Sequence, residues 1–130
     1  MASDASATAG GFRAREDRMD ELLELVEREV LGWPGVWKKT DENGIGGIGV
    51  TGYRLGRRQI GHIHHDGVAD LQFPRAVHDE LVSSGKAKPH RGGFATVVSY
   101  HIRVPEDVPG VVELFRMNYE RMKDATATRR

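Results

Sequence analysis

Cysteine is absent from the 130 residues, which removes thiolate metal sites, redox pairs and a cysteine nucleophile. Net charge is absent as well. Lys and Arg number 19 against 19 Asp and Glu, so the clustered basic excess that phosphate contacts need is missing and no nucleic-acid partner is expected. No apolar run approaches the roughly 20 residues that span a bilayer, and Met1–Gly11 has no apolar h-region of the signal-peptide kind. The expectation is therefore a cytoplasmic protein with no membrane partner. No serine sits in a nucleophile elbow, since Ser83, Ser84 and Ser99 have no motif around them. What is present is 38% hydrophobic and 29% charged residues, the balance of one globular domain able to form a core without disulfides or a structural metal.

The apolar spacing divides the chain into elements. Met19, Leu22, Leu23, Val26 and Val30 recur on one helical face, which predicts a helix from about Ala14 to Leu31. Gly32 is expected to close it in a left-handed conformation, and Pro34-Gly35 to turn the chain. Val36–Thr40 reads as a short strand ended by the turn cluster Asp41-Glu42-Asn43-Gly44. Ile45–Leu55, Arg58–His65 and Val68–Gln72 follow as strands, with turns at Gly56 and Asp66-Gly67. Pro74 opens a second helix that stops near Gly85, and Lys86–Gly93 is a loop. Ala95–Ile102 is a strand, and Val108, Val111, Val112, Phe115, Tyr119 and Met122 mark the last helix. The order α-β-β-β-β-α-β-α predicts an α+β fold, with an antiparallel sheet of about five strands and helices mainly on one face. The domain is assigned to residues 14–124, between disordered tails at 1–13 and 125–130.

Two motifs bear on chemistry. The run Gly44-Ile45-Gly46-Gly47-Ile48-Gly49 is no phosphate loop, because no helix follows it. It reads as a strand with a bulge or a close approach by a backbone or ligand. Ile60-Gly61-His62-Ile63-His64-His65-Asp66 is the stronger signal. Alternation puts Ile60, His62 and His64 on one face and Ile63 and His65 on the other. Two imidazoles about 7 Å apart on a strand can flank a flat substrate or grip a metal, and imidazoles of near-neutral pKa suit proton abstraction from a phenol or enol. Asp70 on the next strand and His90 in the later loop are the residues that could join them. His62, His64 and Asp70 could form a metal set, but the third ligand is only inferred, so a metal-free site is expected. The alternative is a set of ordinary sheet-surface histidines. Arg54, Arg57 and Arg58 cluster at the preceding hairpin, as a solvated tip or an anion contact.

Arg57-Arg58-Gln59-Ile60-Gly61-His62-Ile63-His64 resembles the basic, basic, polar, Ile, small, His, aliphatic, His stretch of the luciferase-domain family. The likeness continues through Ala69-Asp70-Leu71-Gln72-Phe73-Pro74, Lys88-Pro89-His90, Val97-Val98-Ser99-Tyr100 and Val111-Val112-Glu113-Leu114-Phe115, covering about residues 32 to 122. His65-Asp66-Gly67 departs from the family's turn, and the tryptophan common in the later strand is missing near Val97. The family includes the fungal luciferases, which oxygenate a hydroxypyrone with molecular oxygen. The resemblance implies a small-molecule pocket with His62 and His64 as catalytic bases. Asp70, His90, Arg58 and Tyr100 are the expected substrate contacts. It also implies a phenolic or enolic ligand, molecular oxygen as co-substrate, and no cofactor. A homo-oligomer fits the same expectation, and the alternative function is a non-catalytic ligand-binding or protein-interaction domain.

Overall fold

The computed structural model describes residues 4–128; residues 1–3 and 129–130, the extreme parts of the expected tails, lie outside the described residues. Helix α1 (Asp4–Leu31) starts well before Ala14, because Ala5, Ala7 and Ala9 are good helix formers even without an apolar stripe. Its stripe is as expected, with Leu22, Val26 and Val30 buried. The helix ends differently. Gly32 and Trp33 donate to the carbonyls of Glu29 and Val30 in a tightened last turn, and the left-handed residue is Gly35, at φ 83°.

Strands β1 (Val36–Ile45), β2 (Ile48–Leu55), β3 (Arg58–His64) and β4 (Val68–Gln72) form an antiparallel meander. The Asp41–Gly44 cluster does not end β1. The Asp41 carboxylate accepts the N–H groups of Asn43 and Gly44 at 3.1 and 3.2 Å, so the turn chemistry makes an irregularity inside the hairpin, and the reversal falls at Gly46-Gly47. After α2 (Arg75–Ser83), the predicted loop contributes a short strand β5 (Lys88–Pro89), which pairs with β6 (Val97–His101) before α3 (Val108–Thr128). The sheet thus has six strands in the order β1-β2-β3-β4-β6-β5, one more than about five.

Helices α1 and α3 pack on one face of the sheet and on each other. Val26, Val30, Ile63, Leu71, Val98, Phe115 and Tyr119 are the centre of the core. The Tyr119 ring packs tilted against Trp33, centroids 5.3 Å apart, and its hydroxyl donates to the Pro34 carbonyl at 2.7 Å, which ties α3 to the end of α1.

Strand β3 carries a bulge that changes its facing. Tyr53 pairs with Gly61 and Arg54 with Gln59, so Ile60 has no partner across the ladder. Ile60 is fully buried among the core residues, which corrects its expected place beside His62. The extra residue reverses the alternation between Gln59 and His62. Gly61 is required beside it: a Cβ there would lie 2.8 Å from Leu71 and 2.9 Å from Phe115.

The β3–β4 ladder holds His62 opposite Asp70 and Ile63 opposite Ala69. Continuing that register past Gly61 and Leu71 would pair Ile60 with Gln72. Their carbonyls instead both accept from the Nδ2 amide of Asn118, at 2.7 and 3.1 Å. Arg121 in turn donates to Asn118 Oδ1 at 3.0 and 2.7 Å. A fully buried side chain from α3 thus satisfies carbonyls freed where the strands part.

Ile63→Ala is expected to cost about 2–5 kcal/mol, as a large-to-small core change does; a denaturant midpoint moved by less than about 0.5 kcal/mol would reverse the face assignment. Asn118→Ala removes the donor to the buried Ile60 carbonyl, at about 1–3 kcal/mol, and the part-buried bond to Gln72. Urea unfolding should show that loss, together with faster hydrogen exchange in β3 and β4.

Candidate functional site

The sheet register builds a row of residues across the strands. Gly52 of β2 faces His62 of β3, His62 faces Asp70 of β4, Asp70 faces Ser99 of β6, and Ser99 faces Lys88 of β5. His64, two residues beyond His62, stands on the same face. This is the face away from α1 and α3.

Asp70 is the centre of the row. Its side chain is 5% exposed, and both imidazoles reach one of its oxygens: His62 Nε2 and His64 Nε2 each lie 3.1 Å from Oδ2. The Ser99 hydroxyl donates to Oδ1 at 2.5 Å. His90, just after β5, brings its Nε2 to 3.8 Å from Oδ2. Burial by itself raises the Asp70 carboxyl, but hydrogen bonds from His62, Ser99 and His64 outweigh it and bring it down to about 2. The imidazoles are about one-quarter to one-third exposed, so a carboxylate sits at the bottom and titratable rings at the rim.

The outer nitrogens are also held. Gln59 Nε2 lies 2.9 Å from His62 Nδ1. A Cβ on Gly52 would come 2.9 Å from Gln59 Oε1, so that glycine leaves room for the amide. The Gly92 N–H donates to His90 Nδ1 at 2.9 Å, which leaves the neutral ring's proton on Nε2, pointing towards Asp70. The rings of His62 and His64 meet edge-on with centroids 5.0 Å apart, closer than strand spacing alone suggests.

Two hollows flank the cluster. The larger, about 730 Å³, lies over Asp70, His90, Ser99, His101, Lys88 and Val68. The smaller, about 230 Å³, lies over Gly52, Arg54, Gln59 and His62, and His64 lines both. His62, His64 and Asp70 are also the set that could hold a metal ion, their three donor atoms lying within 4.8 Å of one another. The carboxylate that was only inferred in the sequence is in place.

The remaining candidates lie elsewhere. Arg58 is exposed and pairs with Leu55, on the helix side. Arg121 of α3 has its guanidinium pKa lowered by burial and then by the charge of Arg58. It is Arg54 that lines the smaller hollow. Tyr100 packs beside Gly110 at the start of α3, where a Cβ would meet its hydroxyl, and burial followed by the charge of Asp107 raises its pKa. Two participants escaped the sequence reading. Gln59 stood in the quoted motif, but its role depends on the bulge. Ser99 is identified only by the β4–β6 register, since nothing around it in sequence marks it.

Asp70 carries a pH signature. Its pKa is depressed in the folded chain, so its stabilisation is present above the ordinary carboxyl range and is lost as pH falls towards about 2. The wild type should lose about 2 kcal/mol more than Asp70→Asn between pH 5 and pH 2 in parallel urea titrations. Equal slopes would mean that the carboxylate is not held in this way.

No curated protein and no solved structure matches the chain. A family match does arise, narrower than the span of about residues 32 to 122: it leaves out α1, β1 and β2 and takes in His62, His64, Asp70, His90, Ser99 and Asn118. The family model that matches, over residues 57–118, is the Luciferase domain, to which this segment is similar.

Proposed function

We propose that the chain binds a flat phenolic or enolic molecule on the histidine face of the sheet, takes up its hydroxyl proton, and prepares the anion for reaction with molecular oxygen. The observation that carries this reading is the convergence of three imidazoles on one buried carboxylate at the edge of an open hollow. Imidazole accepts protons near neutrality, and a fixed carboxylate beside it stabilises the imidazolium that results. His64 accepts at Nδ1, the nitrogen turned away from Asp70, and His62, held at Nε2 by Asp70 and at Nδ1 by the Gln59 amide, supports it. His90, with its Nε2 proton directed towards the cluster, is placed to donate to the developing oxyanion.

The match to the Luciferase domain over this segment supports the oxygenase class. An electron-rich enolate or phenolate can pass electrons to oxygen directly, so this chemistry needs no flavin. The hollow of about 730 Å³ has the size of a small-molecule site. A non-catalytic ligand-binding domain would use the same face and would leave its ligand unchanged.

The test is a thermal-shift screen against phenols and hydroxypyrones, followed by absorbance titration of each hit and an oxygen electrode. A bound phenol should show the phenolate spectrum below its free pKa. His62→Gln and His64→Gln should each weaken binding or oxygen uptake ten-fold or more, about 1.4 kcal/mol, in chains that stay folded at the assay temperature because Gln keeps an N–H donor for Asp70. Variants that bind like the parent, or that fail only by unfolding, would refute the site. Binding without oxygen uptake would leave the non-catalytic role.

A further inference from the structure

We propose that His62 Nε2, His64 Nε2 and Asp70 Oδ2 together bind one divalent first-row transition metal ion, with its open coordination positions facing the hollow beside His90. The geometry is the first argument. Both histidine nitrogens lie 3.1 Å from the same carboxylate oxygen, and all three donor atoms fall within 4.8 Å of one another. An ion about 2.1 Å from each donor separates neighbouring donors by about 3.0 Å at right angles and about 3.4 Å at the tetrahedral angle. Each nitrogen therefore already stands from the carboxylate oxygen at close to the spacing that an ion imposes, and the two nitrogens lie within 4.8 Å of each other.

Donor chemistry is the second argument. Two neutral imidazoles and a carboxylate on one side of the ion, with no thiolate, form the triad that suits iron of the non-haem class and also accepts cobalt, zinc and manganese. The surrounding contacts fit the same role. Ser99 occupies the other oxygen of Asp70 and turns Oδ2 towards the histidines. Gln59 Nε2 sits 2.9 Å from His62 Nδ1; turning that amide over brings Oε1 to the same place, where it accepts the ring's Nδ1 proton once Nε2 is a ligand. Such outer contacts orient metal ligands.

His90 is excluded from the ligand set. Its Nδ1 accepts the Gly92 N–H, so Nε2 carries the proton in the neutral ring, and it stands at 3.8 Å from Asp70 Oδ2. It remains a donor beside the open positions. The proposal deepens the proposed function and rests on its reading of this cluster as the functional site, because a coordinated hydroxyl loses its proton more readily than a free one. Metal binding itself needs no organic ligand, so the two can be tested apart.

The experiment uses the untagged full chain, stripped with a chelator and titrated with Co(II) and with Zn(II). Saturation at one ion per chain is expected, with visible ligand-field bands for Co(II). His62→Gln, His64→Gln and Asp70→Asn should each weaken binding by about 100-fold or more. His90→Gln and His101→Gln should stay within about three-fold of the parent. Electron spin echo of the Cu(II)-loaded wild type should show the remote nitrogens of two imidazoles, a readout that requires no variant to fold. No saturable binding, binding that survives the His62 and His64 substitutions, or an echo spectrum without imidazole nitrogen would each overturn the proposal. Co(II) binding in a protein that binds no phenol or pyrone would sustain the metal site and remove the organic ligand; the reverse result would remove the metal.

Discussion

The molecule is organised around a buried carboxylate that must be compensated. Asp70 stands in a central strand with almost no solvent contact, where an ionised group without partners would be prohibitively costly. Compensation comes from three directions: along the sheet from His62 and His64, across it from Ser99, and from above by His90. His62, His64 and Ser99 are placed by strand register, so the pairing of β3 with β4 and β4 with β6 is a condition for the charge to be tolerated. The rings that satisfy the carboxylate are also the ones that line the two hollows. Stability and chemistry thus share the same hydrogen bonds.

The register depends on an adjustment in β3. Without the bulge at Ile60, strict alternation would leave a large aliphatic side chain on the same face as the histidines. With it, Ile60 and Gly61 both turn to the core, and Gln59 is left on the histidine side to hold His62. Asn118 stabilises the place where the β3–β4 ladder opens. A polar residue deep in the core of α3 is therefore part of the support of a site on the opposite face.

Much of this architecture was legible in the residues. Helical stripes in α1 and α3, the turn at Asp66-Gly67 and the opposed facing of Ile63 and His64 all follow from periodicity and turn chemistry, which are local properties. The differences arise where local signals compete with non-local ones. The Asp41–Gly44 cluster has turn chemistry, yet pairing with β2 carries the strand through it. Lys88-Pro89 has no strand propensity and becomes an edge strand because β6 offers it a partner. In the site, His62, His64 and Asp70 were visible as residue types at strand spacing. Ser99 and Gln59 were not, since their contributions exist only once register and bulge are set. Arg58 and Tyr100 were named from a motif and a strand whose alternation points them to the helix side.

The row Gly52–His62–Asp70–Ser99–Lys88 takes one residue from each of five successive strands. Its members are neighbours in space and distant in sequence, and most strand positions beside them point into the core. Such an arrangement separates two kinds of inheritance. Mutations at the row can alter the chemistry of the surface without repacking the interior, while mutations at the alternate positions can tune the interior without redrawing the surface. A lineage built on this sheet is free to redraw that surface while keeping its fold, except at Asp70, where the two requirements meet in a single side chain.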